Sequence, residues 1–101
     1  MSSPESKRTW HFLTSHTQVL LALQRDPQAR LRDVADTVGI TERAAQRIVT
    51  DLVEAGYVER ARVGRRNSYK VNAHLHMRHP EQLEHEIGEL LQLLRADRDR
   101  G

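Results

Sequence analysis

The pattern of apolar positions begins with an unbroken run over residues 19–23, flanked on both sides by polar residues. Thr14 or Ser15 can cap a helix here, and Ser15 is followed three residues later by Gln18, the spacing of an N-terminal capping box. Pro27 disfavours helical geometry at the residue before it, so a helix must stop there. The pattern predicts a first helix over residues 15–25, apolar nearly all round at its middle and therefore central to the core.

Two further amphipathic segments follow, joined by a short connection that contains Gly39. In both segments apolar residues recur at i, i+3, i+4 and i+7, the period of one buried helix face. Gly39 suits the left-handed conformation that ends many helices, and Thr41 suits the N-cap of the next. The pair predicts a helix-turn-helix, the second helix ending at Gly56. The buried positions are Leu31, Val34, Ala35 and Val38, then Ala45, Ile48, Val49 and Leu52.

After Gly56 the helical period gives way to alternation. Residues 57–63 and 68–72 contain β-branched and aromatic residues at alternate positions, as half-buried strands do. Between them, Gly64-Arg65-Arg66-Asn67 supplies a glycine and an asparagine that tolerate the positive φ of a hairpin loop. We therefore expect a two-stranded β-hairpin with a basic tip.

A last helix is predicted from Pro80, because proline is favoured at the first helical position. Large aliphatic residues then recur at spacings of 4, 3 and 4, the seam of a coiled coil. The seam could cover the first helix of the same chain. It is larger than a small core needs, so we expect a second copy to cover it. The predicted dimer interface comprises Trp10, Phe12, Leu83, Ile87, Leu90, Leu91 and Leu94.

These elements predict a mainly α fold with a small β-hairpin (α+β), a winged helix-turn-helix with an additional C-terminal dimerisation helix. Residues 1–9 are polar without periodicity and are expected to form a disordered tail. Residues 10–72 form the predicted winged helix-turn-helix domain. Residues 73–79 are expected to be a linker, and residues 80–96 the dimerisation helix.

Composition narrows the class of protein. The 101 residues are 38% hydrophobic and 30% charged, which fits one small globular domain. No cysteine is present, which excludes disulfides, thiolate metal sites and a cysteine nucleophile. The longest apolar run has five residues, whereas a membrane-spanning helix needs roughly 20. We expect a cytoplasmic protein with no membrane partner.

Charge is distributed unevenly along the chain. The net charge is +2, but residues 57–72 alone carry five basic residues and one acidic residue, while residues 1–56 balance to zero. Such a basic block indicates a surface that faces a polyanion. Arginine supplies 14 of the 16 basic side chains, and its planar fork suits phosphates and base edges.

Burying the apolar stripe of the third helix turns its polar side chains outward. Arginine suits guanine, glutamine suits adenine and threonine suits either, so this outward face has the chemistry of a DNA-reading helix. An ordinary solvated face is the alternative, but the helix before it and the basic hairpin after it favour DNA contact. The predicted DNA-binding residues are Thr41, Glu42, Arg43, Gln46, Arg47 and Thr50 in the helix and Arg62, Arg65, Arg66 and Lys70 in the hairpin.

The stretch from Leu31 to Asn72 resembles the DNA-binding core of winged-helix regulators of the MarR, ArsR and IclR type. The most specific segment is DLVEAGYVER, in which a leucine-bearing helix ends at Gly56 and leads into the first strand of the hairpin. The resemblance implies that Thr41, Arg43, Gln46 and Arg47 are recognition-helix positions. It also implies that Arg62, Arg65 and Arg66 are wing positions, and that such regulators dimerise.

The sequence therefore predicts a sequence-specific DNA-binding transcriptional regulator that acts as a homodimer on a pseudo-palindromic operator. The partners expected are double-stranded DNA and a second copy of the chain. No glycine-rich phosphate loop or organised catalytic triad is present, so neither an enzyme nor a cofactor is expected. Two alternatives stay open: a winged-helix adaptor that binds protein, and a metal-responsive regulator using His74, His76, His79 and His85. A pH-responsive linker built on the same histidines is a further possibility.

Overall fold

The computed structural model describes the backbone of residues 10–100 and the side chains of residues 10–94. In this part of the chain, three helices are followed by a two-stranded antiparallel hairpin, a short 3-10 helix and a last α-helix. The predicted winged helix-turn-helix is therefore confirmed. The tail predicted over residues 1–9 lies outside the described residues.

Helix α1 (Ser15–Arg25) has the predicted bounds. Thr14 is its N-cap, and its Oγ1 accepts a hydrogen bond from the Thr17 amide at 3.2 Å. Val19 and Leu23 are completely buried, so the helix lies at the centre of the molecule, as its apolar middle predicted.

Helices α2 (Leu31–Val38) and α3 (Glu42–Glu54) form the helix-turn-helix. Gly39 adopts φ 88°, and its amide donates to the Ala35 carbonyl at 2.8 Å. A residue with a Cβ rarely adopts this conformation, which explains the glycine at the turn. Thr41 caps α3, because its Oγ1 accepts a hydrogen bond from the Ala44 amide at 3.0 Å.

The hairpin, which we call the wing, consists of β1 (Val58–Val63) and β2 (Arg66–Val71). Val63 pairs with Arg66, so the turn contains only Gly64 and Arg65. Gly64 has φ 64°, whereas Arg65 has no positive φ, which fits a type II′ turn. The predicted four-residue loop was wrong, because a glycine at the first turn position alone closes the hairpin and Asn67 is left free to pair in β2.

The last helix, α4, spans Ile87–Arg100 and does not begin at Pro80 as predicted. Residues Pro80–Gln82 form a 3-10 helix instead. The reason is a non-local backbone pairing: the amide of Met77 donates to the His85 carbonyl at 3.0 Å, and the amide of Ile87 donates to the Leu75 carbonyl at 2.8 Å. This pairing holds the residues before Ile87 out of helical geometry.

Gly88 brings α4 into direct contact with the segment after the wing. Its amide donates to the Ala73 carbonyl at 2.9 Å. A Cβ at Gly88 would lie 2.8 Å from that carbonyl oxygen and 2.9 Å from the Ala73 Cβ, closer than real Cβ contacts come. The start of α4 is therefore fixed against the domain by backbone contact.

One core joins the four α-helices and the base of the wing. It contains aliphatic residues from the four helices together with Tyr57, Val58 and Tyr69 at the base of the wing. None of the buried residues among the described ones is polar or charged. The helical members are Val19, Leu20, Ala22, Leu23, Val34, Ile48, Val49, Leu52, Ile87 and Leu91.

Candidate nucleic-acid interface

The outward side of α3 is an open polar surface, which we call the recognition face: Glu42, Arg43, Gln46, Arg47 and Thr50. All five side chains are exposed, while Ala45, Ile48, Val49 and Leu52 point into the core. Among residues 10–94, neither arginine of this face forms a salt bridge. The side chains are therefore available to an external partner, in the arrangement that the apolar stripe predicted.

The two ends of the recognition face present different hydrogen-bonding groups to a partner. At the start of α3 the first backbone amides point outward, and such amides favour phosphate oxygens. Thr41 uses its hydroxyl as an acceptor for the Ala44 amide, so a phosphate near Thr41 would meet a helix end that is already ordered. Further along, the Thr50 hydroxyl donates to the Gln46 carbonyl at 3.0 Å, which leaves it chiefly an acceptor for a partner.

The wing places its predicted basic residues at different positions around the hairpin. Arg65 lies at the turn, and the side chains of Arg62, Arg65, Arg66 and Lys70 are exposed. In a hairpin, directly paired residues share one face and the faces alternate. Arg62 pairs with Asn67 and shares the face of buried Tyr69, whereas Arg66 and Lys70 share the other face. The structure therefore does not gather the four cations into one patch.

A groove of about 440 Å³ lies where the wing approaches α3. Glu42 and Gln46 of the recognition face line it together with Arg65 and Arg66 of the wing. The structure thus brings four of the predicted DNA-binding residues together around one depression.

The same groove contains residues that sequence reasoning missed. Gln28 and Arg30, from the loop between α1 and α2, line its third side. The Arg66 Nη2 atom donates to the Gln28 carbonyl at 3.1 Å. A basic residue directly before the first apolar position of a helix-turn-helix was a visible signal for Arg30. No feature of the sequence indicated that the backbone carbonyl of Gln28 would accept a hydrogen bond here.

Comparison with known proteins identifies the chain. A family model described as the MarR family matches residues 12–66, more than half of the sequence. The chain belongs to the MarR family. Among solved structures it is similar to the PcaV transcriptional regulator from Streptomyces coelicolor in complex with its natural ligand, at 22% identity and a TM-score of 0.51. That match covers 92% of this chain and 68% of the regulator and shows a shared fold. No curated protein matches.

As a member of the MarR family, the chain is a DNA-binding transcriptional regulator with a winged-helix fold. Regulators of this family are non-enzymatic transcription factors that bind DNA. Of the three types that the sequence resembles, the family match selects MarR. None of the helices in the described part of this MarR-family chain is long and apolar enough to cross a membrane.

The histidines of the predicted metal site have separate local partners. His74 Nδ1 lies 3.2 Å from Glu86 Oε1, and His76 Nδ1 lies 2.6 Å from the Leu83 carbonyl oxygen. His79 Nδ1 accepts from the Glu81 amide, and His85 Nδ1 lies 2.9 Å from Glu89 Oε1. Across the residues whose side chains are described, no three histidine or carboxylate groups converge on one point. The geometry gives the metal-responsive alternative no support.

The predicted dimer residues separate into two groups. Ile87 and Leu91 are buried in the core of this same chain, with 6% and 1% exposure, so this chain already covers them and their place at a dimer interface stays a prediction. Both turn inward because α4 packs on the winged-helix domain. Trp10, Phe12 and Leu83 are 70%, 91% and 52% exposed, and Leu90 and Leu94 are half-buried. Leu93, on the same helix, is 68% exposed.

Proposed function

We propose that this MarR-family regulator binds a pseudo-palindromic operator as a homodimer, with α3 of each copy in the major groove. The observation that carries the proposal is the open recognition face beside a cationic hairpin tip. An α-helix fits the major groove, where arginine recognises guanine and glutamine recognises adenine. Half-sites are then expected about 10 base pairs apart, or a multiple of that distance.

In this arrangement the wing lies on the sugar–phosphate backbone or in the adjacent minor groove. Arg65 at the turn is the side chain best placed to reach beyond the protein surface, and Arg62 and Lys70 extend the contact on either side of the hairpin. Contacts of this kind contribute affinity for any sequence and make binding depend on salt. The recognition face contributes the preference for particular bases.

The homodimer is supported by large apolar side chains that this chain leaves uncovered. Trp10 and Phe12 form an edge-to-face pair, with ring centroids 4.9 Å apart, that is exposed to solvent. Leu83 and Leu93 are exposed as well. Covering such side chains is favourable by about 25 cal/mol per Å² of apolar surface, and a second copy offers the same surface in return.

The test of this function begins with selection of bound DNA from a random pool. A consensus with two related half-sites is expected, and labelled DNA carrying it then serves in fluorescence anisotropy. Arg47→Ala should weaken binding by roughly 1–3 kcal/mol and blur the base preference at one position of each half-site. If the recovered sequences show no consensus and bind no tighter than random DNA at low salt, α3 does not read bases.

Arg78→Ala is the matched control for Arg47→Ala. It removes the same charge from an exposed position that lies beside Glu54 and Ala55, at the other end of α3. Base preference should stay unchanged in this variant. An equal loss in both variants would mean that only the net charge of the protein matters, as for non-specific attraction to a polyanion.

A further inference from the structure

Two hydrogen bonds join strand β2 of the wing to the loop between α1 and α2. The Tyr69 amide donates to the Pro27 carbonyl at 2.8 Å, and Arg66 Nη2 donates to the Gln28 carbonyl at 3.1 Å. The first bond lies at the base of the wing, next to the buried ring of Tyr69, which is 3% exposed. The second lies beside the turn. Together they fix both the base and the tip of the wing.

In the described part of the chain, no other side-chain hydrogen bond connects the tip of the wing to the rest of the protein. Between residues 62 and 67, the Arg66 guanidinium makes the one side-chain hydrogen bond that reaches outside the wing. A two-stranded hairpin is only marginally stable by itself in water, so an unanchored tip would pivot about the Tyr69 contact. The position of the tip therefore depends on Arg66.

The loop that receives Arg66 is connected to α3 through α2. It leads directly into α2, which packs on α3 in the helix-turn-helix, and Gln28, Glu42 and Arg66 line one groove. Anchoring the tip to this loop sets the distance between the wing and the recognition face. On DNA, that distance decides whether both can contact one half-site at once.

We propose that Arg66 is a positioning residue that holds the wing at the distance from α3 required for simultaneous contact with DNA, an inference that rests on the proposed DNA-binding function. Its neighbour Arg65 has the contrasting role. Arg65 is exposed at the turn, and within residues 10–94 its side chain makes no hydrogen bond or ion pair with the protein. Arg65 contacts the DNA backbone, and Arg66 places Arg65 there.

The first test uses the free protein and hydrogen exchange of the Tyr69 amide. In Arg66→Ala, exchange of this amide should speed up by roughly tenfold, because loss of the tip anchor lets the hairpin move away from Pro27. Arg65→Ala removes the same charge one residue away and should leave the rate unchanged. Equal rates in wild type and Arg66→Ala would overturn the positioning role, and circular dichroism checks that both variants are folded.

The second test measures affinity for the selected operator in a double-mutant cycle. Arg66→Ala alone should weaken binding roughly tenfold, and adding Arg65→Ala should weaken it little further, because a displaced tip has already lost the Arg65 contact. Circular dichroism of Arg66→Ala excludes a general loss of fold, so coupling in the folded variant reports the position of the tip. Independent contacts with DNA would give additive losses, and additivity would contradict the proposal.

The two tests also separate this inference from the function on which it rests. If the wild-type protein bound no DNA at low salt, the proposed function would fail, while the exchange rate of the Tyr69 amide would still report whether Arg66 anchors the wing. If DNA binding held but the cycle were additive with unchanged exchange, only the positioning role would fail.

Discussion

At the scale of single residues, several exposed histidines lie beside carboxylate groups. The clearest pair lies at the start of α4, where His85 Nδ1 is 2.9 Å from Glu89 Oε1. The other carboxylate oxygen of Glu89 accepts from the Glu86 amide at 3.1 Å. The hydrogen bond to Glu89, followed by the charges of Glu89 and Glu84, raises the pKa of His85. The hydrogen bonds from His85 and from the Glu86 amide lower the pKa of Glu89.

These shifts predict that the pair supports the start of α4 most in mildly acidic solution. The contribution of His85 is fully present below the ordinary pKa of 6.5 and is lost as pH rises through its raised pKa. The contribution of Glu89 is present above the ordinary 4.5 and is lost as pH falls through its lowered pKa. Nuclear magnetic resonance of the His85 ring should give a titration midpoint above 6.5.

In Glu89→Gln that midpoint should move back towards the ordinary value, since the amide neither carries charge nor prefers protonated histidine. Glu81→Gln is the control, because Glu81 is not among the groups that shift His85. A midpoint that is identical in wild type and Glu89→Gln would show that the two side chains do not pair in solution.

At the scale of elements, local chemistry predicted the first half of the molecule well. The bounds of α1 and the turn at Gly39 followed from apolar spacing, a proline and a glycine, all of which act within one or two helical turns. The exposed recognition face followed too, because burying Ala45 and Leu52 leaves α3 no other orientation. The wing turn was misplaced by two residues because both Gly64 and Asn67 suit a turn, and only pairing chooses between them.

The C-terminal part could not be predicted in the same way. Leu83 and Ile87 have helical spacing, but the pairing of Leu75 and Met77 with residues 85–87 interrupts the helix, and the pattern carries no trace of that pairing. The Arg66 bond to Gln28 was hidden for a related reason. Its acceptor is a backbone carbonyl, which every residue has.

Gly88→Ala tests the contact between the start of α4 and Ala73. Alanine normally stabilises a helix interior by roughly 0.5–1 kcal/mol relative to glycine. Here the added Cβ would lie 2.8 Å from the Ala73 carbonyl oxygen, so α4 must shift. We expect a net loss of about 1–3 kcal/mol in the free energy of unfolding, measured with urea. Gln92→Ala, at an exposed position of α4, is the control and should be nearly neutral. A more stable Gly88→Ala protein would mean that this contact is loose.

At the scale of the whole molecule, the large exposed apolar side chains other than Val63 of the wing fall in two parts of the chain. They come from the residues before α1 and from the segment that includes α4, so in the proposed complex DNA contact and self-association use different elements of the chain. This separation allows both to occur at once. It also allows each to be removed without the other.

Leu93→Asp tests self-association. A carboxylate buried in an apolar interface costs several kcal/mol, so a wild-type dimer of 11.7 kDa chains should become a monomer in sedimentation equilibrium. Affinity for an operator with two half-sites should fall, while affinity for a single half-site should stay the same. Gln92→Asp places the same charge at the neighbouring exposed position and should remain dimeric. A wild-type mass of one chain at micromolar concentration would refute the homodimer.

The hydrogen bond from the Tyr69 amide to the Pro27 carbonyl ties strand β2 to the loop before α2. Because this bond is made by the backbone within β2, the side chain at the apex of the hairpin takes no part in it. Position 65 is therefore a site at which evolution or engineering can exchange side chains to retune overall DNA affinity while this bond is kept.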